Sequence, residues 1–229
     1  MIEKIKKVLW QEPNGIVWKI TDKYAINNRK ERFNLFMDVI KPGSDDTVLD
    51  VGVCPFSGRA INFFELLYPY RKNVTALTND NLVNYKEFRN NFPEVTLIFG
   101  DARKLEFPDN YFDIVFSNAV VEHVGKLENQ KKFIEEITRV SRKAFVATPN
   151  YYFPIDSHTL IPFAHYLPVN IRCWIYEKLG RGYFADINTL NLLTPKSFIS
   201  LFPKECKIRL YRQKSFGLTT NLIALAEKY

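Results

Sequence analysis

The chain has 229 residues, enough for one domain with a sizeable core. Hydrophobic residues make up 46% and aromatics 15%, which excludes a disordered chain. Lysine and arginine outnumber aspartate and glutamate 32 to 25, and the resulting +7 suits an anionic partner: a phosphorylated or nucleotide-linked small molecule, a nucleic acid or an acidic surface.

The lead-in, residues 1–28, is basic, with Ile2, Ile5 and Leu9 at helical spacing until Pro13-Asn14-Gly15 breaks the pattern. A helix is predicted over 29–40, with Phe33, Phe36, Met37 and Ile40 on one side and Arg29, Lys30 and Arg32 at its start. Lys41-Pro42-Gly43 ends it. Thr47 to Val51 then read as a short β-branched strand, followed by Gly52, a loop, and Ser57 as a helix N-cap before Ala60, Phe63, Phe64 and Leu67. Strand, glycine turn and helix make the first unit of a doubly wound sheet, in which ligands lie outside the carboxyl ends of the strands. Further strands are predicted at 74–77, 95–99, 112–116 and 144–148, with helices at 85–90 and 130–140 between them. Residues 151–193 interrupt this rhythm with many aromatics and prolines, and read as a cap. Thr194-Pro195 opens a last helix. The strands predicted at 207–213 and 220–226 are joined by a link too short for anything but antiparallel pairing.

The three cysteines, Cys54, Cys173 and Cys206, are odd in number, widely spaced and form no CxxC pair. That points to a reducing, cytoplasmic setting and argues against zinc, so no metal site is expected. The first residues, MIEKIKKVLWQE, lack the apolar core of a signal peptide, and no apolar run is long enough to span a bilayer.

Four stretches carry a family resemblance. VLDVGV at the first strand and GDARKLEFPDNYFDIVFSNAVVEHV from residue 100 onward resemble the motifs of class I S-adenosylmethionine (SAM) dependent methyltransferases. TPNYYFPIDSHTLIPFAHYLP and GYFADINTLNLL resemble a subgroup associated with bacterial surface-polysaccharide synthesis. The loop departs from the usual pattern: Cys54 stands where a second glycine is common, the third falls near Phe56, and Pro55 stiffens the turn. SAM has no phosphate and tolerates fewer glycines, whereas a dinucleotide pyrophosphate does not.

The resemblance implies an α/β, Rossmann-like fold: seven strands, mostly parallel, with a terminal antiparallel hairpin and an inserted cap. It implies one methyltransferase domain with a helical cover (1–43), a SAM-binding core (44–150), a cap over the acceptor (151–193), and a last helix and hairpin (194–229). SAM, leaving as S-adenosylhomocysteine (SAH), is expected along Asp50, Gly52 and Val53, with ribose near Thr78, Asn79 and Asp80. The adenine is expected at Asp101 and Ala102, and the sulfonium at Asn118 and Ala119. A carboxylate suits ribose because it accepts two hydroxyl protons at once. His123 and His158 are candidate bases, since imidazole titrates near neutral pH. Arg29, Arg32, Tyr152 and His165 are candidate acceptor contacts. The implied activity is methyl transfer to an oxygen or nitrogen of a small anionic acceptor: a sugar, a nucleotide-linked or phosphorylated intermediate, or a phosphoramidate of capsular polysaccharide synthesis. Rivals are an RNA methyltransferase, against which the lack of a contiguous basic run argues, a nucleotide-sugar or NAD enzyme, and a non-catalytic partner protein of the same fold.

Overall fold

The computed structural model describes residues 16–55, 62–80 and 85–228. The expectations for Ile2, Ile5 and Leu9, for the break at residues 13–15 and for Ser57 as a cap fall outside them. The chain opens with a long helix, α1 (Ile16–Ile40), then β1 (Val48–Val51), α2 (Phe63–Leu67), β2 (Val74–Thr78), α3 (Lys86–Asn91), β3 (Thr96–Phe99) and β4 (Phe112–Asn118). It continues through α4 (Leu127–Arg139), β5 (Ser141–Pro149), α5 (Val169–Lys178), α6 (Pro195–Ile199), β6 (Cys206–Ser215) and β7 (Leu218–Lys228). The seven strands form one sheet in the order β3-β2-β1-β4-β5-β7-β6. The pairs from β3 through to β5 are parallel, and β5–β7 and β7–β6 are antiparallel. The predicted fold is therefore the observed one. The order reverses between β1 and β4, which opens a crevice at the carboxyl ends of those strands.

Two apolar layers hold the helices to the sheet. On one face Phe133, Ile134 and Ile137 of α4 and Phe198 of α6 pack on Leu49, Val115 and Val146. On the other, Phe33, Phe36 and Ile40 of α1 join Phe64, Tyr68 and Phe88 over Val48, Phe116 and Phe145. Phe36 meets Phe64, Phe116 and Phe145 edge-on at 5.4, 5.3 and 5.4 Å between ring centres. That edge-to-face geometry adds to simple burial. It locks α1 across the middle of the sheet, so that the turn carrying Arg32 reaches the strand ends.

Local chemistry sets the remaining boundaries. Thr194 caps α6 through a reciprocal capping box with Ser197, with Pro195 at the first helical position. Asn62 stands at the N-cap position of α2 in a left-handed conformation, and its side chain exchanges two hydrogen bonds with the backbone of Cys54, both 2.9 Å, which fixes one end of the loop after β1. The predicted cap contains a turn at Ala164–Tyr166, α5, and a second turn at Gly182–Ala185. It is tied back to the sheet by the bridge Asn150–Leu193. No described helix is long and apolar enough to cross a membrane.

Candidate active site at the carboxyl ends of the strands

Gly52 ends β1 at φ +98°, and its N–H donates to the carbonyl of Leu77. A Cβ there would stand 2.3 Å from a methyl of Val120, so only glycine fits beneath the segment that follows β4. The close approach at Gly52 is thus to Val120. Val53 is buried, and its carbonyl accepts from the Tyr85 hydroxyl at 2.9 Å. Asp50 is buried and faces Glu65 of α2. Burial, then the charge of Glu65, pushes the Asp50 carboxyl well above its usual range, and burial raises Glu65 too. Neither carboxylate oxygen of Glu65 meets a donor at hydrogen-bonding geometry among the described residues, so burial favours its neutral acid.

At the end of β2 the structure divides the three expected ribose residues. Thr78 is buried with its hydroxyl against Tyr85, and also accepts from the Asp80 amide at 3.1 Å. Its hydroxyl thus supports the turn that carries Asn79 and Asp80. Asn79 and Asp80 lie exposed at the strand tip, where Thr78 holds the turn. Beyond β3, Asp101 is exposed and its carboxylate accepts from Arg103 through Nε at 3.0 Å and Nη2 at 2.7 Å. The hydrogen bonds from Arg103 hold that carboxyl below its usual range. Ala102 is half-buried on the apolar layer below. Arg139 of α4 fixes this loop by donating to the carbonyls of Phe107 at 2.8 Å and Leu105 at 3.0 Å.

The end of β4 is the most constrained part of the site. Ala119 has φ 57°, a left-handed conformation that costs a residue with a Cβ about 1 kcal/mol or more. Its amide donates to the carbonyl of Ala147 on β5 at 2.8 Å. The side chain of Asn118 accepts from Nη1 of Arg32, and Nη2 of Arg32 donates to Gln213 at 3.0 Å. Arg32 is only 6% exposed and its Nε has no hydrogen-bond partner. Burial, then the neighbouring charge of Arg29, pushes its guanidinium down to about 10. Its two hydrogen-bonding partners are neutral amides, and the nearby charges of Glu122 and Glu31 offset its burial only in part.

Three residues that follow form a compact cluster. Glu122 is fully buried, and Oε2 accepts from the Thr148 hydroxyl at 2.9 Å. Oε1 lies 3.3 Å from His158 Nε2 and 4.0 Å from His123 Nε2. The two imidazoles meet edge-on, 4.4 Å between centres, with Phe184 beside both. Nδ1 of His123 is 2.6 Å from the carbonyl oxygen of Thr189. A carbonyl only accepts, so Nδ1 carries the proton. Burial would raise Glu122, but the hydrogen bond from His158 and the charges of both histidines outweigh it and hold the carboxyl low. Burial would lower His158, and the bond and charge of Glu122 outweigh that, so the imidazole is raised.

The structure brings Arg32, Asn118, His123 and His158 into one region and adds residues that sequence reasoning left aside: Glu122, Thr148, Thr189 and Gln213. Tyr152 and His165 do not join them. Tyr152 is 62% exposed and leans on Tyr151. His165 is buried in the cap, its Nε2 held by the carbonyl of Tyr151 at 3.0 Å, beside a cavity of about 120 Å³ shared with Arg172 and Tyr176. Arg29 is half-buried near Arg32.

No curated protein sequence matches the chain. Residues 49–144 match a family described as a methyltransferase domain. The fold is similar to that of the PH0226 protein from Pyrococcus horikoshii, with a TM-score of 0.61 and 15% identity over 96% of this chain and 95% of that one. It is similar to magnesium protoporphyrin IX methyltransferase from Synechocystis, solved with SAH, with a TM-score of 0.58 and 12% identity over 99% and 94%. It is also similar to the N-methyltransferase NodS from Bradyrhizobium japonicum, solved with SAH, with a TM-score of 0.53 and 11% identity over 87% and 86%. The chain thus shares the α/β fold of these methyltransferase structures, and its residues 49–144 match a methyltransferase domain.

Proposed function

We propose that the protein is a SAM-dependent methyltransferase. The observation that carries this reading is a coincidence of position. The stretch that matches a methyltransferase domain ends its strands at one crevice, and Arg32, Asn118, Glu122, His123 and His158 gather there. SAM would lie with its ribose at Asp80, its adenine beside Asp101 and Ala102, and its sulfonium near Asn118 and Ala119. The acceptor oxygen or nitrogen attacks the methyl carbon in line as the bond to sulfur breaks, and SAH leaves as a neutral thioether. Charge disperses in that transition state, so the protein contributes alignment and exclusion of water. An acceptor proton must also leave, and the Glu122–His123–His158 cluster is the group assigned to handle it.

The acceptor is a small anionic molecule. Arg32 supports this reading, because a buried guanidinium bonded only to amides gains more from an anion than from a neutral group. The resemblance of the cap sequence favours a sugar, a phosphorylated or nucleotide-linked intermediate, or a phosphoramidate of surface-polysaccharide synthesis. Calorimetric titration with SAH, SAM and NAD, followed by candidate acceptors with the tight binder present, tests the assignment. SAH and SAM are expected to bind one per chain and NAD not to bind. Binding of NAD with none of SAH would overturn it.

A further inference from the structure

The geometry points to a divalent metal site formed by Glu122, His123 and His158, selective for first-row transition ions such as zinc, cobalt or manganese. This deepens the proposed function, since it rests on the same cluster and names what completes it. One ligand atom from each residue lies within 4.8 Å of the other two, with Glu122 fully buried and the imidazoles half-buried.

The directions of these atoms matter more than their proximity. The Thr189 carbonyl accepts from Nδ1 of His123, which leaves Nε2 as the ring nitrogen on the side of Glu122, 4.0 Å from Oε1. A metal ion would take that nitrogen in its unprotonated form and bridge it to the carboxylate. An imidazole held by a backbone carbonyl at one nitrogen and aimed by the other is how histidine is commonly presented to a metal. Glu122 is prepared in the same way: Thr148 holds Oε2, leaving Oε1 directed at both rings. The 3.3 Å between Oε1 and His158 Nε2 suits two ligands on one ion, since bonds of about 2.0–2.2 Å place neighbouring ligand atoms roughly 3–3.5 Å apart. There the ion takes the place of the proton that His158 now shares with Glu122.

Two imidazole nitrogens and one carboxylate favour a transition ion over magnesium or calcium, which prefer all-oxygen shells. The ligands also come from two parts of the fold. Glu122 and His123 lie on the 3₁₀ turn Val121–His123 after β4, which the bond from the Asn191 amide to the Glu122 carbonyl ties to the end of the cap. His158 lies in the cap itself. The side chain of His123 is 30% exposed, so the cluster keeps an open side. Three protein ligands with open positions are the arrangement of a catalytic site. An acceptor hydroxyl bound there loses its proton to water more readily, and the oxygen pair then forms the bond to the methyl carbon.

Cobalt is the probe. Chelator-treated full-length protein is titrated with Co²⁺ and its visible absorption followed, then Zn²⁺, Mn²⁺ and Mg²⁺ are tested as competitors, with SAH calorimetry run on every sample. One equivalent of cobalt should bind with new visible bands, zinc should displace it, and magnesium at the same concentration should not. His123→Ala and His158→Ala should each weaken cobalt at least tenfold, and Thr148→Val, which leaves all three ligands, by about 10–100-fold. Cys54→Ser should leave cobalt affinity unchanged. The absence of stoichiometric cobalt binding overturns the inference, as does unchanged affinity in the histidine variants. SAH binding without metal would leave the methyltransferase reading standing and remove this one; metal without SAH would do the reverse.

Discussion

The carboxylate of Asp101 is gripped by Arg103 on the surface, and an adenine amine would compete with that guanidinium for it. Asp101→Ala should weaken SAH by about 0.5–1.5 kcal/mol, the net worth of one hydrogen bond at an exposed carboxylate. Arg103→Ala removes the competitor and should leave SAH affinity unchanged or improved. Calorimetry on the two variants checks both, and equal weakening would mean that the loop, not the carboxylate, matters. Arg32 poses a second test. Arg32→Met keeps much of its apolar bulk and removes a buried cation held by amides, so the fold should survive while binding of an anionic acceptor falls; equal acceptor binding would remove the residue from the site. These residues show what was legible at this scale. Asp101, Asn118 and His123 could be placed near the crevice because they follow strand ends, and Arg32 and His158 through the family resemblance of the helix and the cap. The roles of Thr78 and Glu122 were not legible, since a hydroxyl or carboxylate at a strand tip can turn inward or outward and the choice depends on Tyr85 and Thr148, which lie 7 and 26 residues away.

At the scale of elements, α1 and α4 position the loops that carry the site. Phe36 is fully buried among Phe64, Phe116 and Phe145, and Phe36→Ala should destabilise the fold by about 3–5 kcal/mol, measured by denaturant unfolding. A smaller loss would mean that α1 is not clamped as described. Arg139 binds two loop carbonyls and pairs with Glu136 and Asp109, so Arg139→Ala should cost roughly 1.5–3 kcal/mol and loosen the loop that presents Asp101. Periodicity reveals α4 and the second half of α1, residues 29–40, because each buries a single face; the first half of α1, from Ile16, carries no such pattern and reads only as a basic lead-in. Periodicity reveals the hairpin as well, since the short link leaves one way to pair the strands. The cap was legible only as an interruption. Its turns at Ala164–Tyr166 and Gly182–Ala185 have no period to read, and the inward placement of His165 follows from its bond to Tyr151.

Across the molecule, the buried Asp50–Glu65 pair links folding to pH. Both carboxyls titrate near 4 in the unfolded chain. In the folded chain both are raised, so the native state holds more protons once pH climbs above that value. The stability this pair contributes is complete below about pH 4 and declines as pH rises through the raised native values. Glu65→Gln removes one titrating group and supplies an amide donor to Asp50. Its melting temperature should exceed that of the parent at neutral pH, with the advantage vanishing toward pH 4. Parallel melting curves across that range would show that the two groups do not share a proton. Net charge, by contrast, informs on partners rather than on fold.

The proposed function places the methyl donor in the crevice where the strand order reverses, turned toward the Glu122 cluster. A crystal structure of the SAH complex is the decisive measurement. Adenine is expected beside Asp101 and Ala102, ribose at Asp80, and sulfur next to Asn118 and Ala119, with its open side toward His123 and His158. SAH bound elsewhere, or bound in the crevice with its sulfur turned away from that cluster, would contradict it.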